Sequence, residues 1–361
     1  MNRRLINFQN DVLLAEHTTI GLGGKAKYFL SCKSLEEIRS SLTYARDNNL
    51  RVHVLAGGSN VIFSDKGFDG LVLKIDLRGI AMNDEGEWVT AVVAAGENWD
   101  DFVKLCIGHH CGGIECLSGI PGSVGATPIQ NVGAYGQEVS DTIVSLKALD
   151  RERLDIVEFP AAECRFEYRR SRFKSIDRDR YIITEVTFRL RKFARSEVRY
   201  PELDKFIKSR VDLTSLADGR PFLEAVRSAV IALRRTKSMV IDPADPNTRS
   251  VGSFFMNPIL TSDEFAKLEY QWKRAGYGHN DSIPTFPAQD RVKVPAAWLV
   301  EKAGFQKGYR KGGVGVSANH TLALINCGGT SKELVELANE IEEKVYERFG
   351  VLLEREPVVV M

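Results

Sequence analysis

The chain has 361 residues, enough for two or three domains and a sizeable core. Apolar residues make up 43% and charged residues 27%, the composition of a globular chain. Lysine plus arginine total 49 against 48 aspartate plus glutamate, and a net charge of +1 argues against a general nucleic-acid binder while leaving room for a local basic pocket. No apolar run reaches the roughly 18 residues of a membrane span. The start, MNRRLINFQNDVLLAE, has no apolar core region, so no secretory leader is expected.

In chain order, Ser34 with Glu37 forms a capping-box signature, and Leu35, Ile38, Leu42 and Ala45 follow at helical spacing. Segments 51–55, 71–75 and 88–95 read as strands, and 98–110 as a helix. A glycine-rich stretch covers 112–136, and strands return at 143–149 and 181–190. Residues 191–220 are charged and irregular. A helix is predicted over 221–236, followed by a Pro/Asp/Asn linker, IDPADPNTRS, that reads as a domain boundary. Residues 251–349 look like a second α+β unit. Its last helix opens at Thr330 with Glu333 three positions on and closes at Gly350; 351–361 reads as a strand returning to the body.

Six cysteines in this length are too sparse for a disulfide scaffold. Cys106, His109, His110, Cys111 and Cys116 are metal-ligand types close together, but no C-x-x-C pair is present. We read them as packing thiols and helix-end histidines rather than a metal site.

Two glycine loops stand out. LAGGSNVIF (55–63) turns on Gly57 and Gly58 into Ser59 and Asn60, and consecutive glycines let backbone N–H groups converge on an anion. SGIPGSVGATPIQNVGAYG (118–136) exposes further N–H groups with few side chains in the way. Together they suit a pyrophosphate. No G-x-x-x-x-G-K-[ST] occurs and no G-x-G-x-x-G opens a helix after the first strand, which disfavours P-loop and Rossmann sites.

With HTTIGLGGKA (17–26), AAGENW (94–99), ECRFEYRRSRFK (163–174), VGSFFMNP (251–258) and VPAAWLVEKAGFQKG (294–308), these loops make the chain resemble the UDP-N-acetylenolpyruvoylglucosamine reductases. The matching segments run in order over nearly the whole length. RSEVRYPEL (195–203) resembles the extra loop of the longer, type I members. The resemblance implies an α+β protein: an FAD-binding fold of the p-cresol methylhydroxylase type, in two α+β subdomains, plus a C-terminal α+β substrate-binding domain. The expected boundaries are 1–65 for the first subdomain, with 351–361 returning to it, 66–240 for the second, including a type I-like loop near 191–220, and 241–350 for the substrate domain.

The activity implied is a cytoplasmic flavin-dependent oxidoreductase, a UDP-N-acetylmuramate dehydrogenase of peptidoglycan precursor synthesis. NADPH is the hydride donor, FAD is noncovalent, and the substrate is a UDP-sugar enolpyruvyl ether. No nucleic acid, membrane span or metal is involved. The family's motifs place Ser253 as proton donor, Arg169 on the substrate carboxylate and Glu356 as assisting acid. The tail LEREPVVV leaves the last assignment open. An ungapped match puts Glu356 on the catalytic position, whereas sliding by two makes Glu356 the first glutamate and loses the second; Glu354 is the other carboxylate concerned. Tyr168, Tyr200, Lys237, Asn257 and Lys293 match substrate contacts, with Gln306 a weaker candidate. The cofactor would lie against Gly57, Gly58, Ser59 and Asn60. In the second loop it would meet Gly119, Ile120, Pro121, Gly122, Ser123, Val124, Gly125, Ala126, Gln130, Asn131, Gly133, Ala134, Tyr135 and Gly136. A cationic stretch on 234–237 would also suit NADPH. Two other readings remain: another flavin oxidoreductase of the same superfold, and a catalytically dead nucleotide-sugar binder. Ser253 and Arg169 in their motifs argue against both.

Overall fold

The computed structural model describes residues 6–195, 197–276 and 282–361. Residues 1–5 of the start, Ser196 of RSEVRYPEL and 277–281 of the expected substrate domain lie outside the described residues. The chain divides into two compact units. The first comprises Met1–Val12, Ala26–Gly58 and Phe68–Val240; the second comprises Leu13–Lys25, Ser59–Gly67 and Ile241–Met361. Segments 13–25 and 59–67 thus pack with the C-terminal residues rather than with their sequence neighbours.

In the first unit, strands Lys25–Cys32, Phe68–Ile75 and Arg51–Leu55 pair in parallel, with Gln9–Leu13 on the edge. Helix α1 (Leu35–Asp47) crosses between them, opened by the Ser34/Glu37 capping box. A second, antiparallel sheet runs Ile156–Pro160, Ile143–Asp150, Tyr181–Lys192, Trp88–Ala94, Ile80–Asp84, with Cys111–Gly112 against the long strand. Helix α2 (Trp99–Gly108) starts at the Asn98 cap, whose side chain accepts from the Asp101 N–H. It buries Trp99, Phe102, Val103 and Cys106. The charged segment 191–220, read as irregular, contains helix α3 (Pro201–Lys208), which buries Leu203 and Ile207. Proline at its first position and two acids in its first turn are start signals that the surrounding charge masked. Helix α4 (Arg220–Thr236) follows and buries Phe222, Val226, Val230 and Leu233.

Cys106, Cys111 and Cys116 are core residues, and burial pushes the Cys111 thiol up to about 11 and the other two higher still. Among the described residues no group of three or more His, Cys, Asp or Glu could hold a metal. No helix among them is long and apolar enough to cross a membrane.

In the second unit, strands Ser250–Ser253, Ala323–Asn326, Val314–Val316 and Arg310–Lys311 form an antiparallel sheet. A smaller one joins Ile259–Leu260, Arg291–Lys293 and Phe286–Ala288. Helices α5 (Ser262–Arg274), α6 (Ala296–Lys302) and α7 (Ser331–Phe349) complete the unit. Leu334, Leu337, Ala338, Ile341, Val345 and Phe349 of α7 are buried, as their spacing predicts. Asp65 accepts from the N–H groups of Ser331 and Lys332 at its N-terminus, and Gly350 ends it with φ +67°. In the tail only Val358–Val360 is a strand; it pairs in parallel with Val61–Phe63.

Candidate active site

The first unit brings the Gly57–Gly58 turn against the second glycine loop. A Cβ on Gly57 would stand 2.6 Å from the Cα of Gly122, so the loops touch backbone to backbone. Gly122 has φ +129°, a value that favours glycine. The second loop is stapled to α2: the Trp99 N–H donates to the Gly122 carbonyl at 3.1 Å and the Val124 N–H to the Glu97 carbonyl at 2.9 Å. Several of its expected donors are therefore already used. The Gly119 N–H goes to Asp100 Oδ1 at 2.5 Å, the Gly125 N–H to the Ala95 carbonyl, and the Ala126 N–H to the Ser123 carbonyl. Gly125 also has a packing reason, since a Cβ there would meet the Ala95 Cβ at 2.5 Å. Asn131 spends its side chain internally: its amide donates to Glu138 Oε2 and the Glu167 carbonyl, and its oxygen accepts the Ser140 N–H.

One polar atom of the loop remains unmatched. Ser123 Oγ is buried with no hydrogen-bond partner among the described residues. A hydroxyl in this state, between Gly122 and Gly125 and abutting a second glycine turn, fits a cofactor held by small residues and backbone. The residues present therefore fit FAD.

Arg169 lies against the same loop. Its backbone is left-handed, with φ 55°, uncommon for a residue with a side chain. Its guanidinium donates to the carbonyls of Gly133 and, at 3.3 Å, Asn131, and stacks 5.1 Å from the Tyr168 ring. Tyr200, preceding α3, meets Tyr135 edge to face with centroids 5.4 Å apart. Burial, aided by Glu202, raises the Tyr200 phenol above its ordinary value. Lys237, at the end of α4, is salt-bridged to Glu202 of α3 at 2.6 Å. The helix missed in the sequence thus carries the counter-ion of an expected substrate contact.

The second unit holds the remaining candidates. Ser253 ends strand Ser250–Ser253 opposite Ala323, after a bulge at Val251 and Gly252 where Gly252 takes φ +76°. The next residues, Phe254 and Phe255, are fully buried anchors. The chain then pairs antiparallel with the tail. Glu356 N–H donates to the Phe254 carbonyl and Met256 N–H to the Glu354 carbonyl, both at 2.9 Å, with Phe255 facing Arg355. Alternation along the tail sends Arg355 one way and its neighbours the other. Arg355 is held by both oxygens of Glu342 at 2.6 and 2.7 Å. Glu356 is half-buried and its N–H is bonded to Phe254, the residue after Ser253, whereas Glu354 is exposed and its carbonyl is bonded to Met256. Asn60 ties this tail to the first glycine loop's end, its amide donating to the Glu356 carbonyl at 3.3 Å. Asn257 accepts the Ala296 N–H at 2.9 Å and so fixes the start of α6. Lys293 pairs across strands with Ile259, and Gln306 is exposed in the turn after α6.

The model of the UDP-N-acetylenolpyruvoylglucosamine reductase C-terminal domain matches residues 243–360, and that of an FAD binding domain matches residues 26–153. The reductase of Thermobifida fusca is 45% identical over 359 residues, covering 98% of each chain. The chain belongs to the UDP-N-acetylenolpyruvoylglucosamine reductase family. The Mycobacterium tuberculosis member is 41% identical over 97% of this chain and 94% of its own. The crystal structure of the Thermus caldophilus reductase shares the fold, with a TM-score of 0.65 at 21% identity over 98% of this chain and all of that one. The α+β class read from the sequence is the one present. Like its family, the chain is a flavin-dependent oxidoreductase with FAD as cofactor.

Sequence reasoning missed Asp100, Arg227 and Glu202. Asp100 accepts the Gly119 N–H and is gripped by both terminal nitrogens of Arg227, at 2.6 and 2.7 Å. An acid in the first turn of α2 was the available signal, and it points equally to ordinary helix capping.

Proposed function

We propose that the chain reduces UDP-N-acetylglucosamine enolpyruvate to UDP-N-acetylmuramate in the cytoplasm, with NADPH as reductant, and that residues 241–350 receive the UDP-sugar. Bound FAD would relay hydride from NADPH to the enolpyruvyl double bond. Ser123 and the backbone around Gly57 and Gly122 would hold it. The protein's task is then to manage the charge left on the substrate and to deliver a proton.

In this reading Arg169 holds the substrate carboxylate, into which the negative charge spreads; its planar donors suit that group. Its guanidinium is oriented by the Asn131 and Gly133 carbonyls and the Tyr168 ring. Ser253 gives its hydroxyl proton to carbon 2, and Glu356 supports that transfer. Lys237 meets the diphosphate by exchanging its Glu202 partner. Tyr200 and Lys293 are further contacts, while Asn257 acts through the placement of α6. The observation that carries the assignment is that Glu356 is half-buried and bonded to Phe254, the residue after Ser253, whereas Glu354 is exposed and bonded to Met256; this supports Glu356 over Glu354.

The test is a spectrum. The purified protein should be yellow, lose its flavin absorption with NADPH in the absence of oxygen, and regain it on addition of UDP-N-acetylglucosamine enolpyruvate. Denaturation should release the flavin. A folded, colourless protein that takes up no FAD, or a reduced one that the substrate leaves bleached, would sink the reading.

A further inference from the structure

Three buried side-chain polar atoms lack a hydrogen-bond partner among the described residues: Ser41 Oγ, Ser123 Oγ and Arg234 Nε. Two of the three gather at the second glycine loop. Ser123 lies on it, and Arg234 approaches it from the last turn of α4, its Nε 3.6 Å from where a Cβ on Gly119 would stand. The rest of that guanidinium is fixed, with Nη2 donating to the Met239 carbonyl at 2.7 Å. One carboxylate, Asp100, faces this cation. It is bound by Arg227 through two short hydrogen bonds and by the Gly119 N–H. Two guanidiniums therefore share one carboxylate, and one positive charge is left over beside a loop that fits FAD. Burial lowers the Arg234 pKa, opposed by Tyr135 and Asp100, and burial lifts the neighbouring Tyr135 phenol to about 12. A buried N–H and an unmatched charge at one spot call for an anionic acceptor.

We propose that Arg234 is a cofactor-anchoring cation whose Nε–H donates to an anionic group of bound FAD at the Gly119 end of the loop. FAD offers negative charge in two places. Its diphosphate is always charged, and its ring system becomes so after two-electron reduction. The proposal rests on FAD as the cofactor, not on the substrate assigned above.

The experiment measures FAD binding to the flavin-stripped protein by fluorescence quenching, and the midpoint potential of the reloaded protein by spectroelectrochemistry. Wild type is compared with Arg234→Gln, Arg234→Lys and, as a distant control in α4, Arg220→Gln. If the diphosphate is the acceptor, Arg234→Gln binds oxidised FAD at least tenfold more weakly and leaves the potential in place. If the reduced ring is the acceptor, affinity for oxidised FAD holds within twofold. The potential then falls by about 30 mV for each tenfold loss of affinity for the reduced form. Arg234→Lys should recover most of either effect, and Arg220→Gln should show neither. Should Arg234→Gln not fold, Arg234→Met keeps the apolar stem and is read the same way. Affinity and potential both at wild-type values would overturn the proposal. Wild-type protein that failed to bind FAD would instead overturn the cofactor.

Discussion

In the glycine loop of the first unit five of the residues 118–136 carry no side chain, and much of the backbone is tied to Asp100, Glu97 and Ala95. In the strand pair of the second unit the backbone groups satisfy one another, and the side chains differ sharply. Phe254 and Phe255 are buried anchors, whereas Ser253 and Glu356 are half-buried. The first region suits recognition by shape, backbone and one or two hydroxyl or cationic groups. The second suits chemistry by single side chains whose position depends on strand register. A methyl group is thus enough to damage the loop, while the strand pair fails when one functional group is lost or its register is disturbed.

Arg169 tests that division most strongly, because it touches the loop yet is proposed to hold the substrate carboxylate. Arg169→Met should slow reoxidation of the reduced flavin by substrate about 10²–10³-fold, the usual worth of one charge-stabilising donor. Stopped-flow absorbance reads it directly. A variant that loses FAD but, when loaded, reoxidises normally would move Arg169 to the loop's side of the comparison.

Asp100 comes next. Burial pushes its pKa up, but the Arg227 guanidinium, the Gly119 N–H and the nearby Arg234 charge override this and hold it below the ordinary carboxylate value. A depressed carboxylate contributes stability above its unfolded pKa and loses it as pH falls through the folded value. The thermal midpoint of wild type should therefore drop on acidification below about pH 4, the unfolded value. Asp100→Asn should flatten that limb and cost about 1.5–3 kcal/mol at neutral pH. An unchanged acid limb would show that Asp100 does not anchor the loop.

Gly57→Ala forces a Cβ against the Gly122 backbone. It should cost about 1–3 kcal/mol, seen in a fluorescence titration as FAD binding weakened roughly tenfold or more. Wild-type affinity would mean that contact between the loops does not matter for the cofactor.

The smallest effect concerns Lys237. Lys237→Ala should raise KM with kcat nearly intact, by about 1–2 kcal/mol, because the lost contact exists in ground and transition states alike. Glu202→Gln should lower KM a few-fold by releasing the lysine from its ion pair. A collapse of kcat in the first, or a raised KM in the second, would place Lys237 elsewhere in the mechanism.

The legible parts of the sequence were those with local causes. The capping boxes at Ser34 and Thr330 and the left-handed cap at Gly350 stand where their residue types put them. Helix α3 was hidden because only two of its residues, Leu203 and Ile207, are buried. The roles of Asn131 and Asn257 were illegible for a different reason. Each is a polar residue inside a functional motif, yet each spends hydrogen-bonding atoms on partners that folding brings near, Glu138 and Ala296 among them. The same holds for Asp100 with Gly119 and Arg227, 19 and 127 positions away. Spacing along the chain reveals none of these pairs.

The central claim is that the proton comes from a side chain of the strand pair and plays no part in loading the cofactor with hydride. Ser253→Ala separates the two half-reactions. Bleaching of the bound flavin by NADPH should proceed at close to the wild-type rate, since no proton from Ser253 is needed. Return of colour with UDP-N-acetylglucosamine enolpyruvate should slow by about 10²–10⁴-fold, the usual worth of a positioned general acid. Equal slowing of both half-reactions, or of neither, would contradict the account.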